Sequence, residues 1–148
     1  MDQQTKAATR SEWRELGFFY ACDDAAKEWQ IVGSQNGLSR FASLLRAYAA
    51  DPRNAPESEH EHYGPYMYLE VMTWHEPGID DHSIHGTMAQ LGQLAALVEE
   101  RTAALEPGGK ARILEEYSRA SAYALVLERR EDEFDPASLD GSLEDEAG

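Results

Sequence analysis

Trp29-Gln30-Ile31-Val32-Gly33-Ser34 and His82-Ser83-Ile84-His85-Gly86-Thr87 are two versions of one pattern, set 53 residues apart. Ile31 falls on Ile84, and Gly33 on Gly86. The register continues downstream: Leu38 falls on Leu91, Phe41 on Leu94, Ala42 on Ala95, Leu44 on Leu97 and Leu45 on Val98. Each copy reads as a short strand, a glycine, a hydroxyl residue that can cap a helix, and an amphipathic helix. Internal duplication is therefore the first expectation for the fold.

Working outward from the first copy, Trp13 to Cys22 alternates in the manner of a strand, with Leu16, Phe18, Tyr20 and Cys22 on one side. Asp23 to Lys27 is a turn and Glu28 to Gly33 the return strand. Ser34 and Asn36 are candidate N-caps. Leu38, Phe41, Leu44, Leu45 and Tyr48 then make one apolar helical stripe, stopped at Asp51-Pro52. Glu59 to Tyr63 and Tyr66 to Trp74 read as strands joined at Gly64-Pro65.

The second copy follows the same plan. His82 to Gly86 is a strand, and Thr87 caps a helix with Leu91, Leu94, Ala95, Val98 and Leu105 on its stripe. Pro107-Gly108-Gly109 ends that helix. Lys110 to Ser118 and Tyr123 to Arg130 form a closing hairpin. Two helices against some seven strands predict an α+β fold: a duplicated βαββ unit plus an N-terminal strand, in one mainly antiparallel sheet with both helices on one face. The expected domain spans residues 12–130, with repeats at 28–74 and 82–130. Residues 1–11 read as a disordered N-terminus. Residues 131–148 hold eight acids, no Lys or Arg and no apolar period, and read as a disordered acidic tail.

The chain has 148 residues, 13 Lys and Arg against 28 Asp and Glu, and a formal charge of −15. That balance disfavours direct nucleic-acid binding, which needs clustered cations, and favours basic partners. No apolar run approaches the roughly 20 residues of a membrane span. A single cysteine, Cys22, fits a reducing compartment, and a cytoplasmic location is expected. Cys22 lies between Ala21 and Asp23-Asp24, a setting that raises a thiol pKa and does not activate it.

Two constellations bear on function. All five histidines lie between His60 and His85, and His60 and His62 leave the same face of a strand, as metal ligands can. A zinc site on that strand, in a metal-binding module or a metal-dependent enzyme, is one reading; a polar strand edge with no cofactor is the other. The second constellation is the dense aromatic set Tyr63, Tyr66, Tyr68 and Trp74, beside Glu59 and Glu61. Tyr and Trp are typical anchors of protein interfaces. This set either binds a partner, including a second copy of the chain in a homodimer, or covers the protein's own sheet.

Ile31-Val32-Gly33-Ser34-Gln35-Asn36-Gly37-Leu38, then Phe41-Ala42-Ser43-Leu44-Leu45, then Glu59-His60-Glu61-His62, resembles the immunity protein 32 family of bacterial polymorphic toxin systems. The resemblance covers residues 29–74. The second copy departs from it, with Leu114-Glu115-Glu116 where His-x-His would stand and Gln90 in place of Gly37. The resemblance implies a non-catalytic antitoxin that occludes a cognate protein toxin; the acidic charge of the chain fits a basic one, such as a nuclease whose phosphate-binding site it could imitate.

Overall fold

A computed structural model describes residues 1–144 and is α+β, with three helices and two mixed four-stranded sheets. Helix α1 spans Gln3–Leu16, followed by β1 (Phe19–Asp23), β2 (Glu28–Gly33) and α2 (Gln35–Ala50). Strands β3 (His60–Tyr63), β4 (Leu69–Thr73), β5 (Gly78–Ile79) and β6 (Ile84–Gly86) come next. Helix α3 (Met88–Ala104), β7 (Lys110–Ile113) and β8 (Ala124–Arg129) complete the regular elements.

The duplication is present, and the unit is larger than expected. Each copy is hairpin, helix, hairpin: β1-β2-α2-β3-β4, then β5-β6-α3-β7-β8. Ser34 caps α2 by accepting from the Gly37 amide at 3.1 Å, and Thr87 caps α3 in a capping box with Gln90. Leu38, Phe41, Ala42 and Leu45 in α2, and Leu91, Leu94, Ala95 and Val98 in α3, are all buried. Leu105 lies just past α3, whose last buried turn carries Thr102 instead.

The repeats exchange hairpins, so the expected single sheet with both helices on one face is replaced by two. The first sheet has the order β1-β2-β8-β7 and the second β3-β4-β6-β5. Each is centred on a parallel pair drawn from both repeats, β2 with β8 and β4 with β6, and flanked by antiparallel hairpins. Ile31 sits beside Leu127, and Val71 beside Ile84. Trp29 Nε1 donates to the Asp80 carbonyl at 2.7 Å, and the Tyr123 amide donates to the Ile79 carbonyl at 3.0 Å, tying the sheets together. One core contains residues of both sheets and both long helices.

Three further expectations are corrected. Residues 1–11 are not disordered, and Trp13 to Leu16 is not strand: α1 begins at an Asp2 cap and ends at Gly17, whose φ of 93° only a glycine adopts easily. The acidic segment is ordered as far as residue 144. It makes 3-10 turns at Pro136–Leu139 and Gly141–Leu143, with Ala137 and Leu143 buried. Residues 145–148 of that expected tail lie outside the described residues. The two segments dock on each other: Trp13 Nε1 donates to Asp140 at 2.9 Å, Arg14 makes two hydrogen bonds to Asp135, and Arg10 donates to the Leu143 carbonyl at 2.7 Å. Finally, Tyr66 and Met67 are not strand but a tight turn before β4.

The end of α1 sits on the start of α2. A Cβ placed on Gly37 would lie 2.4 Å from the Gly17 carbonyl oxygen, a backbone atom that cannot swing aside. Gly37→Ala should therefore destabilise by about 1–3 kcal/mol. Gly92 in α3 faces only Ala49 Cβ, at 3.9 Å. Gly92→Ala should instead stabilise by about 0.5–1 kcal/mol, because it relieves the helix of glycine's backbone entropy. Thermal melts of the two variants should move in opposite directions; equal shifts would mean the contact with Gly17 is not tight.

Candidate functional site

An irregular stretch of backbone lies between β3 and β4. Gly64 has φ 75°, and Tyr66 and Met67 have φ 67° and 58°. Two successive non-glycine residues in the left-handed region cost on the order of 1–3 kcal/mol each, and they persist only where neighbours fix them. Here the neighbours are identifiable. The Tyr20 hydroxyl donates to the Pro65 carbonyl and accepts from the Tyr68 amide at 3.1 Å. His62 Nδ1 lies 3.0 Å from the Met67 carbonyl. The Tyr66 hydroxyl donates to Asp140 Oδ2 at 2.6 Å and lies 2.8 Å from Ser142 Oγ.

The result is a raised knuckle. Tyr66, Met67 and Tyr68 are 41%, 59% and 67% exposed, and the two tyrosine rings stack with centroids 5.8 Å apart. Beside it runs a groove of about 730 Å³ between the edge of β1, the β3–β4 hairpin and the C-terminal segment. Trp13, Phe19, Tyr20, Trp29 and Leu139 give it apolar walls. Asp24, Glu70, Asp81 and Asp140 line it with carboxylates, His62 and His82 also border it, and among the described residues no Lys or Arg does. Burial pushes the Asp140 carboxyl up, but hydrogen bonds from Ser142, Tyr66 and Trp13 outweigh it and hold the group below the usual carboxylate range. Hydrogen bonds from Tyr123 and Cys22 likewise hold Asp24 down. The groove thus keeps negative charge against apolar walls.

The predicted aromatic set is parted by the structure. Tyr66 and Tyr68 share the knuckle. Tyr63 is half-buried against the core, and burial together with Glu61 drives its phenol pKa up. Trp74, beyond the other end of β4, lies against the His75 ring with centroids 4.6 Å apart. Glu59 and Glu61 are exposed; Glu61 alternates with the His60 and His62 positions and pairs with Val71. His60 and His62 do share a face, and across the hairpin His62 pairs with Glu70. The three offer ligand atoms within 4.8 Å of one another. His75 instead bonds Glu57, His82 lies 3.7 Å from Asp81, and His85 is held by Ser83 Oγ at 2.9 Å.

Sequence reading missed Met67, Glu70, Trp13 and Asp140 as members of this region. Glu70 was the most accessible of these, since it alternates with Leu69 and Val71 and so belongs to the face opposite the core. Trp13 and Asp140 meet across 127 positions of sequence, and no local signal links them. Cys22 is a poor nucleophile: burial and the carboxylate of Asp24 push its thiol up to about 12.

Among the described residues no helix is long and apolar enough to cross a membrane. Comparison of the chain with protein-family models, with curated proteins and with solved structures finds no match.

Proposed function

We propose that this chain is a non-catalytic binding protein that occludes the surface of a basic protein, in the manner of an antitoxin acting on a cognate toxin such as a nuclease. The observation that carries the reading is the contiguous, strained Tyr66-Met67-Tyr68 knuckle beside a groove lined, among the described residues, by four carboxylates and no Lys or Arg. Exposed aromatic surface beside polar residues is characteristic of protein interfaces. A Lys or Arg side chain of the partner fits the groove: its aliphatic stem meets Phe19 and Tyr20, and its charge meets Asp24, Asp81 or Asp140. The formal charge of −15 steers such a partner at long range, while the tyrosines supply the desolvated anchor. Because the knuckle is fixed before binding by Tyr20, His62 and Asp140, little ordering entropy opposes association.

The test is co-expression with the product of the neighbouring reading frame, scored as survival, together with binding kinetics of the purified pair. Association should slow steeply with added salt. Tyr66→Ala and Tyr68→Ala should each raise the dissociation rate about 30-fold or more, corresponding to hot-spot losses of about 2 kcal/mol, with the fold intact. Survival independent of this protein overturns the antitoxin reading. A folded double variant that still protects moves the interface elsewhere. A dimer in solution that dissociates in the same variants assigns the knuckle to a second copy of the chain instead.

A further inference from the structure

The outward face of the second sheet carries a cluster of two histidines and a carboxylate at the border of the partner-binding groove. In the β3–β4 pairing His60 stands opposite Met72 and His62 opposite Glu70, so all four project from one face. The two imidazoles are nearly perpendicular, at 87°, with centroids 5.3 Å apart. His60 Nδ1 lies 3.0 Å from the Ser58 carbonyl oxygen, and His62 Nδ1 lies 3.0 Å from that of Met67. A carbonyl only accepts. Each Nδ1 must therefore carry the proton, so Nε2 is the nitrogen that each ring can offer to a metal ion. Imidazole held by a backbone carbonyl at one nitrogen and available at the other is the usual state of a metal-binding histidine. Glu70 completes the set: it is half-buried, and among the described residues no donor is hydrogen-bonded to its carboxylate and no Lys or Arg pairs with it.

From this arrangement we propose that His60, His62 and Glu70 form a binding site for a divalent transition-metal ion of zinc's class. Two nitrogens and one oxygen select zinc, cobalt, nickel or copper over calcium and magnesium, which prefer all-oxygen shells. Bonds of about 2.0–2.1 Å in a tetrahedron place donors roughly 3.4 Å apart. The three ligand atoms lie within 4.8 Å, so small rotations of two exposed rings and one carboxylate close the set. Three protein ligands leave a fourth position for water or for a ligand atom from outside. One carboxylate only partly offsets the dication, and the strongly acidic chain supports the remaining positive charge. Site and knuckle also share a residue: His62 offers Nε2 to the ion while its Nδ1 holds the Met67 carbonyl, so a bound ion stiffens the strained turn.

The experiment is a zinc titration of the chelator-treated full chain, followed by calorimetry and by long-range proton–nitrogen NMR of the histidine rings. Metal-free protein should show both rings protonated at Nδ1. Zinc should bind one to one with a Kd tighter than about 10 µM, moving the Nε2 resonances of His60 and His62 and leaving those of His85 in place. Glu70→Gln and His62→Asn should each weaken binding at least about 10-fold, since each removes one of three ligands. His85→Gln, on the same sheet but held by Ser83, should leave affinity unchanged. Weaker binding than that threshold in the native chain overturns the site, as does failure of either ligand variant to weaken it, or Nε2 resonances that do not move. The measurement needs no partner, so its failure leaves the knuckle's role in partner binding untouched.

Discussion

Replacing Phe41 by alanine should cost roughly 3–5 kcal/mol of folding stability, the range for deleting a fully buried aromatic ring. Phe41 is 0% exposed, and its ring meets that of Phe18, also 0% exposed, edge to face at 5.4 Å and 73°. Phe18 leads into β1, so Phe41 joins the first helix of the duplicated unit to the edge of the first sheet. The neighbours cannot collapse into the space, because Phe18 is held between Gly17 and β1, and Leu38 and Leu45, a turn to either side of Phe41 on the same helix, are themselves packed in the core. Denaturant unfolding of the variant measures the loss directly. A loss below about 1 kcal/mol, the scale of an ordinary surface substitution, would place the ring outside the core. The corresponding change in the second repeat, Leu94→Ala, should cost about 2–5 kcal/mol by the same reasoning.

Truncation after Arg130 should be nearly as damaging, although the removed segment is the most acidic stretch of the chain. It takes away buried Ala137 and Leu143 and uncovers Trp13, which is 2% exposed in the intact protein. It also strips the Trp13 indole and the Tyr66 hydroxyl of their common acceptor, Asp140. Burial of one leucine is worth about 1.5–3 kcal/mol, and an indole left against water adds a similar amount. A combined loss of about 3–5 kcal/mol should lower the melting temperature by on the order of 10 °C. A shift below about 4 °C would mean that the docking contributes little. The same contacts give the docking a pH dependence. Asp135 is held below the usual carboxylate range by hydrogen bonding and charge from Arg14, and Asp140 by the hydrogen bonds that outweigh its burial. Groups whose pKa is depressed by folding stabilise at pH values above the ordinary carboxylate pKa, and that contribution is lost as pH falls through the lowered value. The gap in melting temperature between intact and truncated protein should therefore be full near neutrality and narrow below about pH 4. An unchanged gap in acid would show that these carboxylates do not hold the segment.

Truncation and knuckle are connected. Asp140 and Ser142 hold the Tyr66 hydroxyl, so loss of the segment should loosen the turn that presents Tyr66 and Tyr68. The acidic segment thus acts in the reading proposed here as the clamp of a binding surface.

Helices α2 and α3 and their faces were legible in the amino-acid sequence because their causes are local. The offset of 53 residues, the hydroxyl caps Ser34 and Thr87, and the stripes from Leu38 and Leu91 each depend on neighbours within a few positions. The pairing of His60 with His62 on one face follows from the two-residue period of a strand in the same way. Strand partners were not legible. The alternation in Trp29-Gln30-Ile31 states which side is buried, but any strand with the same alternation satisfies it, so nothing local says that β2 lies beside β8 from the other repeat. One sheet and two hairpin-exchanged sheets are equally consistent with the pattern. Glu70 joined the histidines only through the register of the β3–β4 hairpin, which the irregular turn at Tyr66 and Met67 made impossible to count from the chain. The two ends misled for a different reason. Helix α1 has little apolar surface beyond Trp13, and the few apolar residues of the acidic segment, Phe134, Ala137, Leu139 and Leu143, follow no helical or strand period, so each taken alone lacks the burial that offsets ordering entropy. Only their contact across the tertiary structure removes that surface from water, and a contact between residues 127 positions apart leaves no trace in the sequence of either.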